Sequence, residues 1–482
     1  MGQQVFETII GLEVHVQLST KSKAFCTDST LFGETPNANI GIVSLGHPGS
    51  LPYMNKTQVQ YALRLGLALN GYINRENTFD RKNYFYADLP KGYQITQDKK
   101  PISSGGYLPI KVGDTWKNIR IHHIHMEEDA GKSIHTMHDT MSYIDLNRAG
   151  IPLIEIVTEP DLRSGAEVDA FMTGIRQLVR YLEISDGNME EGSLRCDVNI
   201  SIRPQGTDIL NNRCEIKNVN SMKFARQAIE FEEKRQLNIL LEGGKVAQQT
   251  LNFDPSTGVT TPLRSKEDAH DYRYFPEPDL PPIHISDEFL EEEKNNLPVL
   301  PWNVYKFLHQ DLGLPAQEAS ILSEFKDTFV YFKIFLDKVE DKKLLTNFMV
   351  NKLLPYLNEK GISIKESPFE KEGVLGFLSL IESGKISHSQ AYQKLFPLWI
   401  ENPTLNPLEI AEKHQLLQEK IEGKIESIFN ELMIEYPQKW SEFKSGKKGL
   451  SGFFMGELMK KSGGKSDPKE AMEILTNLLK NS

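Results

Sequence analysis

Apolar and polar residues alternate along several short segments in the first part of the chain. In Ile10–Leu18 the even positions are all apolar, and the odd positions include Glu13, His15 and Gln17. Because successive side chains of a β-strand point to opposite faces, this pattern predicts a strand with one polar face. The same alternation returns in three further segments, which are Tyr143–Asn147, Asp197–Arg203 and Arg213–Lys217. The first part of the chain is therefore predicted to contain an antiparallel sheet.

Two interpretations of these polar faces remain open. An antiparallel sheet commonly has one face in solvent, and that is the simpler interpretation. The polar positions here, however, carry acids, amides and histidine rather than the lysine, threonine and glutamate mixture of a solvated sheet, and glycine-bearing turns with more acids follow them. The second interpretation is that the polar face lines a cleft.

Acidic residues from separate segments suggest a cation site in such a cleft. Two carboxylates about 4 Å apart repel each other by roughly 4 kcal/mol at an effective dielectric constant of 20. If Glu13, Glu215 and one glutamate of Met126–Asp129 converge, they must share protons or hold a cation. Oxygen ligands with one imidazole suit Mg²⁺ or Mn²⁺ rather than structural zinc. From the residues alone, the site is a possible divalent-metal cleft.

A segment rich in histidine and glutamate, which begins at Ile119, predicts a further strand. Strict alternation places His123, His125 and Glu127 on one face and Glu128 on the other. A β-bulge would redirect one of the two glutamates, so both stay candidates for the cleft. The histidines are either structural or substrate-contacting residues, or they are metal ligands, because closely spaced histidines without further Cys or His ligands are a weak zinc signal.

The segment Asp80–Gln97 combines a basic turn with aromatic residues. Lys91 follows Pro90, and the turn places an ammonium group where it could meet a phosphate. The aromatic residues offer stacking surface for a base or an adenine, or they form a core cluster. They are Tyr84, Phe85, Tyr86 and Tyr93. The chain contains no Walker A motif, and no GxGxxG motif follows a predicted strand.

The character of the chain changes at two proline-bearing positions. After the proline-rich stretch Phe275–Ile285, long segments such as Lys342–Leu357 have helical periodicity. A second change falls near Pro403–Leu408. We therefore expect an α+β fold with three domains: residues 1–293, a helical domain over residues 294–406, and a small helical tail over residues 407–482.

Composition restricts the cellular setting and the partners. The 482 residues carry a net charge of −11, so RNA binding would need local basic surface. No apolar run is long enough to span a membrane, no signal peptide is evident, and the three cysteines are far apart. We expect a cytoplasmic protein in a reducing compartment, with no membrane partner and no zinc site.

Taken together, the motifs resemble those of a known family, the GatB family, whose members are subunits of bacterial and organellar aspartyl/glutamyl-tRNA amidotransferases. The matching stretches run in order along the chain. They are Ile10–Leu18, Asp80–Tyr86, Met126–Lys132, Asp145–Glu159, Met189–Ile202, Glu215–Ser221, Asp271–Asp279 and Gly452–Lys465. The resemblance thus covers nearly the whole chain.

The resemblance implies a fold, a reaction and partners. It implies a cradle with a glutamine-synthetase-like catalytic fold and an antiparallel sheet, followed by an all-α helical domain and a tail domain that binds tRNA. The enzyme of this family is a heterotrimer, in which an amidase subunit releases ammonia and a small subunit straps the other two together. The GatB subunit uses ATP and Mg²⁺ to phosphorylate the side-chain carboxylate of Glu-tRNA(Gln) or Asp-tRNA(Asn), and ammonia then displaces phosphate.

The resemblance also assigns roles to residues. The first choices for catalysis and metal binding are Glu13, His15, Glu128 and Glu215, followed by Glu127 and Asp197 as metal ligands. The candidates for binding ATP phosphates or the substrate carboxylate are Lys91, Lys217 and Asn220. The candidates for tRNA contact are Lys447, Lys448, Lys460, Lys461 and Lys465, which otherwise form a solvated charged face. The alternative function is that of a non-catalytic tRNA-binding protein, and the choice between tRNA(Gln) and tRNA(Asn) stays open.

Overall fold

The computed structural model describes residues 5–134, 140–219, 221–265, 271–418, 423–447, 449–462, 466 and 468–481. Three of the predicted functional residues, Asn220, Lys448 and Lys465, lie outside the described residues. The chain divides into two compact units, Met1–Val304 and Tyr305–Ser482. None of the described helices is both long and apolar enough to cross a membrane.

The first unit contains mostly strands and a few long helices. In chain order its elements are β1 (Phe6–Gln17), α1 (Lys56–Ala68), β2 (Tyr72–Ile73), β3 (Glu76–Asn77), β4 (Asp80–Asn83), β5 (Tyr93–Thr96), β6 (Ser103–Ser104), β7 (Tyr107–Val112), β8 (Thr115–Glu128), β9 (Lys132–Ile134), β10 (Tyr143–Asp145), β11 (Pro152–Thr158), α2 (Gly165–Tyr181), β12 (Leu194–Pro204), β13 (Cys214–Val219), α3 (Met222–Leu241), β14 (Gln249–Asp254), β15 (Val259–Ser265), β16 (Phe275–Pro276), β17 (Ile283–His284) and α4 (Asp287–Asn295).

Ten of the described strands form one large sheet with β1 near its middle. The strand order is β15–β14–β13–β12–β1–β11–β8–β6–β2, and β7 also pairs with β8. The pairings are antiparallel except for that of β13 with β14, which is parallel because α3 carries the chain back between them. The sheet is therefore mixed, with one parallel pair among pairings that are otherwise antiparallel as the sequence predicts.

The apolar side of β1 faces the core of this unit. Leu12, Val14 and Val16 are almost completely buried, and they share one hydrophobic core with apolar residues of α2 and α3. Burial of each such side chain contributes about 1.5–3 kcal/mol, so these residues determine which face of the strand points inward. Alternation then leaves Glu13 and His15 on the opposite face.

The second unit is helical, and α5 lies across the division. Its elements are α5 (Pro301–Lys306), α6 (Ala316–Ser323), α7 (Lys326–Leu336), α8 (Lys342–Phe348), α9 (Leu354–Lys360), α10 (Lys371–Glu382), α11 (His388–Gln390), α12 (Phe396–Glu401), α13 (Pro407–Lys413), α14 (Lys424–Glu435), α15 (Pro437–Lys444), α16 (Leu450–Lys461) and α17 (Pro468–Asn481). π-Helical turns at Phe307–Asp311, Met349–Leu353 and Ala391–Leu395 extend α5, α8 and α11.

The last four helices have a hydrophobic core of their own. Phe429, Trp440, Phe454 and Leu458 are buried in that core together with residues of α17. Helix α13 packs against α10 and α12 instead. The order predicted from the sequence, an α+β part followed by helices, is confirmed. The predicted limits of three domains stay a prediction, and the compact units divide at Val304 rather than at residue 293.

Candidate metal and substrate site

The polar face of β1 lies at the centre of a larger polar surface. The strand pairs with β12 on one side and with β11 on the other. This register places Asp197 opposite Glu13, and Glu155 opposite His15. Because directly opposed residues of an antiparallel pair point to the same face, acids from three strands meet there.

The first cluster of ligands, which we call the carboxylate group, consists of Glu13, Asp197 and Glu215. One oxygen of each lies within 4.8 Å of the others. Lys217 Nζ lies 2.9 Å from an oxygen of Asp197 and 2.7 Å from one of Glu215, and Asn199 donates a 2.9 Å hydrogen bond to Glu13. Burial, reinforced by Glu155 and Glu215, raises the pKa of Glu13. Negative charge is therefore concentrated here and balanced mainly by one ammonium group.

The second cluster, which we call the histidine group, consists of His15, Glu127 and Glu155. His15 Nε2 lies 3.5 Å from Glu127 and 3.4 Å from Glu155. From β8, His125 Nε2 lies 3.0 Å from Glu155 and 3.5 Å from Glu127. Burial alone would lower the pKa of His125, but Glu155 and Glu127 raise it to about 10. Burial alone would raise the pKa of Glu155, but the imidazoles of His125 and His15 lower it. Positive charge on His125 thus balances part of the negative charge of the two buried carboxylates.

Both groups have the composition of a site for a hard divalent cation. Carboxylate oxygens with at most one imidazole are the ligands that Mg²⁺ and Mn²⁺ prefer. In the carboxylate group the oxygens converge within 4.8 Å, where roughly 3–4 kcal/mol of repulsion per pair at a dielectric constant of 20 favours a bound cation. The residues present therefore fit the metal that the sequence predicted.

Known protein families match both parts of the chain. The GatB/GatE catalytic domain matches residues 8–291, and the GatB domain matches residues 330–479. The B subunit of the aspartyl/glutamyl-tRNA(Asn/Gln) amidotransferase of Persephonella marina (strain DSM 14350 / EX-H1) is 45% identical over 479 residues, covering 98% of this chain and 100% of the relative. The protein of the same name from Neisseria meningitidis serogroup A (strain DSM 15465 / Z2491) is 45% identical over 470 residues, covering 98% of each.

The chain belongs to the GatB family of aspartyl/glutamyl-tRNA(Asn/Gln) amidotransferase subunits. The family predicted from the sequence motifs is thereby confirmed. The carboxylate group and the histidine group both lie within the stretch that matches the catalytic domain of this family.

Glu128 lies apart from both groups in this GatB family member. Strand β8 keeps its alternation at Met126–Glu128, so Glu127 enters the polar face and Glu128 points to the other side. There Glu128 forms an ion pair with Lys91 and accepts a 2.9 Å hydrogen bond from the backbone N–H of Ile95. The catalytic role of Glu128 and the phosphate-binding role of Lys91 stay predictions, and both would act from this buried pair.

Sequence reasoning missed Glu155 and did not assign His125 as a neighbour of the metal site. Glu155 is the one acid within the apolar strand β11, and a carboxylate in such a run was the signal available. A further ion-pair network flanks the polar face, because Asp129 accepts hydrogen bonds of 2.7 Å from Arg195 and 2.7 Å from Gln17. This network fixes the end of β1 beyond His15.

The described tail lysines of this family member have acidic neighbours. Lys447 Nζ lies 2.8 Å from Glu442, and Lys461 Nζ lies 2.8 Å from Glu435. Lys460 is 3.9 Å from Glu457. Such exposed pairs contribute little to stability, so these ammonium groups can exchange an acid for a phosphate at small cost. Contact with tRNA stays a prediction for all five tail lysines.

Proposed function

We propose that this chain carries out the ATP-dependent step that converts misacylated Glu-tRNA(Gln) or Asp-tRNA(Asn) into the amide. The observation that supports it is the meeting of six ligand residues from five strands on one sheet face within the matched catalytic domain. They are Glu13, His15, Glu127, Glu155, Asp197 and Glu215. A passive RNA-binding surface gains nothing from acids held this close, since they repel a polyanion.

The chemistry explains why ATP is needed. A carboxylate does not form an amide with ammonia directly, because its leaving group would be oxide. Transfer of the γ-phosphoryl group of ATP to a carboxylate oxygen releases ADP and gives an acyl phosphate. Ammonia then attacks the carbonyl carbon, the C–N bond forms, and the C–O bond to phosphate breaks. Phosphoryl transfer depends on positioning and charge neutralisation rather than on a protein nucleophile.

The residues of the two groups supply that environment. The carboxylate group and the histidine group would each hold Mg²⁺, which neutralises phosphate charge when bound. Lys217 lies among the carboxylates, in a position that suits its predicted contact with a phosphate or with the substrate carboxylate. The partners we propose are an amidase subunit that releases ammonia and a small subunit that straps the two together, and the reaction belongs in the cytoplasm, where aminoacyl-tRNA is used.

The test replaces one ligand in each group without changing its size. In the complex of all three subunits, Glu13→Gln and Glu155→Gln should each lower the rate of amide formation at least about a hundredfold, since even outer-shell partners of a metal cost 10- to 100-fold. Amide formation is measured on both misacylated tRNAs with ATP and glutamine. Glutamine hydrolysis by the partner amidase should continue, which shows that the complex has assembled.

Glu230→Gln is the matched control, because Glu230 is an exposed glutamate on α3 that pairs only with a neighbouring arginine in the described contacts. Its rate should equal that of the wild type. Wild-type rates in both site variants would refute the proposal. Binding of tRNA without any ATP-dependent product would instead favour the non-catalytic alternative, which family membership does not favour.

A further inference from the structure

Four tyrosine rings form a continuous row beside the histidine group. The centroid distances are 5.8 Å from Tyr86 to Tyr84, 6.1 Å from Tyr84 to Tyr272, and 6.0 Å from Tyr272 to Tyr274. Neighbouring rings are inclined by 69° to 72°, as in edge-to-face contacts. We call these residues the tyrosine row.

The two backbone segments that carry the row are fastened to each other. The backbone N–H of Asn83 donates a 2.9 Å hydrogen bond to the carbonyl of Tyr272, and its side-chain amide donates to the carbonyls of Tyr272 and Arg273 at 3.1 Å and 2.8 Å. Strand β16 also pairs with β4. The row is therefore held as one surface, although its residues are far apart in sequence.

The row lies next to the proposed reaction site. Tyr84 and Tyr86 lie in the loop that joins β4 to β5, and the Thr96 hydroxyl at the end of β5 lies 3.4 Å from Glu127 of the histidine group. The Lys82 ammonium lies 4.8 Å from the centroid of the Tyr272 ring. Burial acts to lower the pKa of Lys82, but the charges of Glu127 and Glu155 outweigh it and contribute to a raised pKa. Burial and the charges of Glu127 and Glu128 raise the pKa of Tyr84. The two middle rings of the row, Tyr84 and Tyr272, thus lie on the side of the acids.

The outer rings are exposed, which a core cluster would not allow. Tyr86 is 57% and Tyr274 is 41% exposed, and Phe85, the chain neighbour of Tyr86, is 88% exposed. Exposed aromatic surface next to a catalytic face indicates a binding partner rather than a packing role. The sequence left a core cluster and a stacking surface as equal alternatives, and these exposures favour the stacking surface.

We propose that the tyrosine row binds the unpaired nucleotides at the 3′ end of the aminoacyl-tRNA, with bases stacked on its exposed rings. The inference rests on the proposed function, in which the reacting amino acid is esterified to the terminal ribose. The last bases must then lie close to the acids that hold the reaction. Unpaired bases stack on tyrosine in many RNA complexes, and Lys82 supplies a cation for a backbone phosphate. A row of several rings suits several successive bases, whereas the single adenine of ATP would need only one.

The test removes one exposed ring at a time in the complex of all three subunits. Tyr86→Ala and Tyr274→Ala should each raise the KM for misacylated tRNA about fivefold to a hundredfold, the range for loss of one base–aromatic stack. The KM for ATP should be unchanged, because the proposal places no part of ATP on these rings. Tyr86→Phe and Tyr274→Phe keep the ring and should behave as the wild type. Tyr72→Ala, an exposed tyrosine on the edge strand β2, is the matched control.

A binding cycle separates this inference from the proposed function. The affinity of each complex is measured for intact tRNA and for tRNA shortened by its unpaired 3′ nucleotides. Shortening should weaken binding to the wild type and should remove the difference between wild type and alanine variants. Equal effects of a variant on both tRNAs, or a change in the KM for ATP alone, would overturn the inference. Absence of amide formation by the wild-type complex would overturn the proposed function, while the binding cycle would still test the row.

Discussion

Replacing Lys217 by methionine should make the stability of the first unit depend strongly on Mg²⁺. Lys217 is the ammonium that lies within 2.9 Å of Asp197 and 2.7 Å of Glu215. Methionine keeps most of the apolar length of the side chain and removes its charge. The carboxylate group would then lack its nearest cation, so the variant should be less stable than the wild type in the presence of a chelator.

The structure sets the size of this effect. Oxygens of Glu13, Asp197 and Glu215 lie within 4.8 Å of one another, which corresponds to roughly 3–4 kcal/mol of repulsion per pair at a dielectric constant of 20. Lys217 is 31% exposed, so solvent screens part of this energy, and protonation of one carboxylate relieves more. We expect a net loss of about 1–3 kcal/mol, which is smaller than the roughly 3–5 kcal/mol for removing one partner of a fully buried ion pair because these groups are partly exposed.

Thermal unfolding of the variant and the wild type, each in EDTA and in millimolar Mg²⁺, measures the effect. Each kcal/mol corresponds to about 2–4 °C in a domain of this size class. Mg²⁺ should restore most of the loss in Lys217→Met, because a cation that binds only the folded state stabilises it. Lys100→Met, which removes one member of an exposed pair with Glu76, should show no such dependence. An equal response to Mg²⁺ in variant and wild type would refute the idea that the carboxylate group is a cation site.

Two further predictions concern the stability of the fold around the site. Phe171→Ala on α2 removes a fully buried ring and should lower the free energy of unfolding by about 3–5 kcal/mol, as measured by urea denaturation. Glu232 on α3 is buried, and burial alone would raise the pKa of its carboxyl group. Hydrogen bonds from Arg235 and other donors outweigh this effect and lower the pKa of Glu232 below the ordinary 4.5. Its ionised form therefore stabilises the fold above that pH, and the stability is lost as the pH falls through the lowered pKa. The difference in unfolding free energy between wild type and Glu232→Gln should accordingly be largest near pH 7 and shrink below pH 4.5, and a difference that grows on acidification would contradict this assignment.

The local pattern of the sequence was sufficient to predict the strands but not their neighbours. Alternation in Ile10–Leu18 predicted which side chains of β1 are polar, because that property belongs to a single strand. The ligand Glu155 was missed because its significance depends on the register with His15 and His125, which lie on two other strands. No local pattern contains that register, since burial and pairing across the whole sheet determine it.

The same limit explains Glu128 and the parallel strand pair. Both Glu127 and Glu128 were predicted as candidates for the cleft, because a bulge in β8 would change which of the two enters it. In the described pairing of β8 with β11, the register shifts at Val157 and Thr158 instead. The parallel pairing of β13 with β14 depends on the path of α3, a connection that alternation within each strand does not encode.

The two ligand groups solve one electrostatic problem in two ways. The carboxylate group is balanced by Lys217, whereas the histidine group is balanced by His125. In both, the protein's own cations hold the acids together, so the fold does not need a metal ion to bring them into place. A site arranged in this way needs little rearrangement when a phosphate-bound cation binds, and phosphoryl transfer depends on such fixed charges.

The same arrangement implies competition between cations. Each cation that binds must displace the ammonium or imidazolium group already present. The Mg²⁺ response of Lys217→Met is therefore the most direct measure of what the carboxylate group binds.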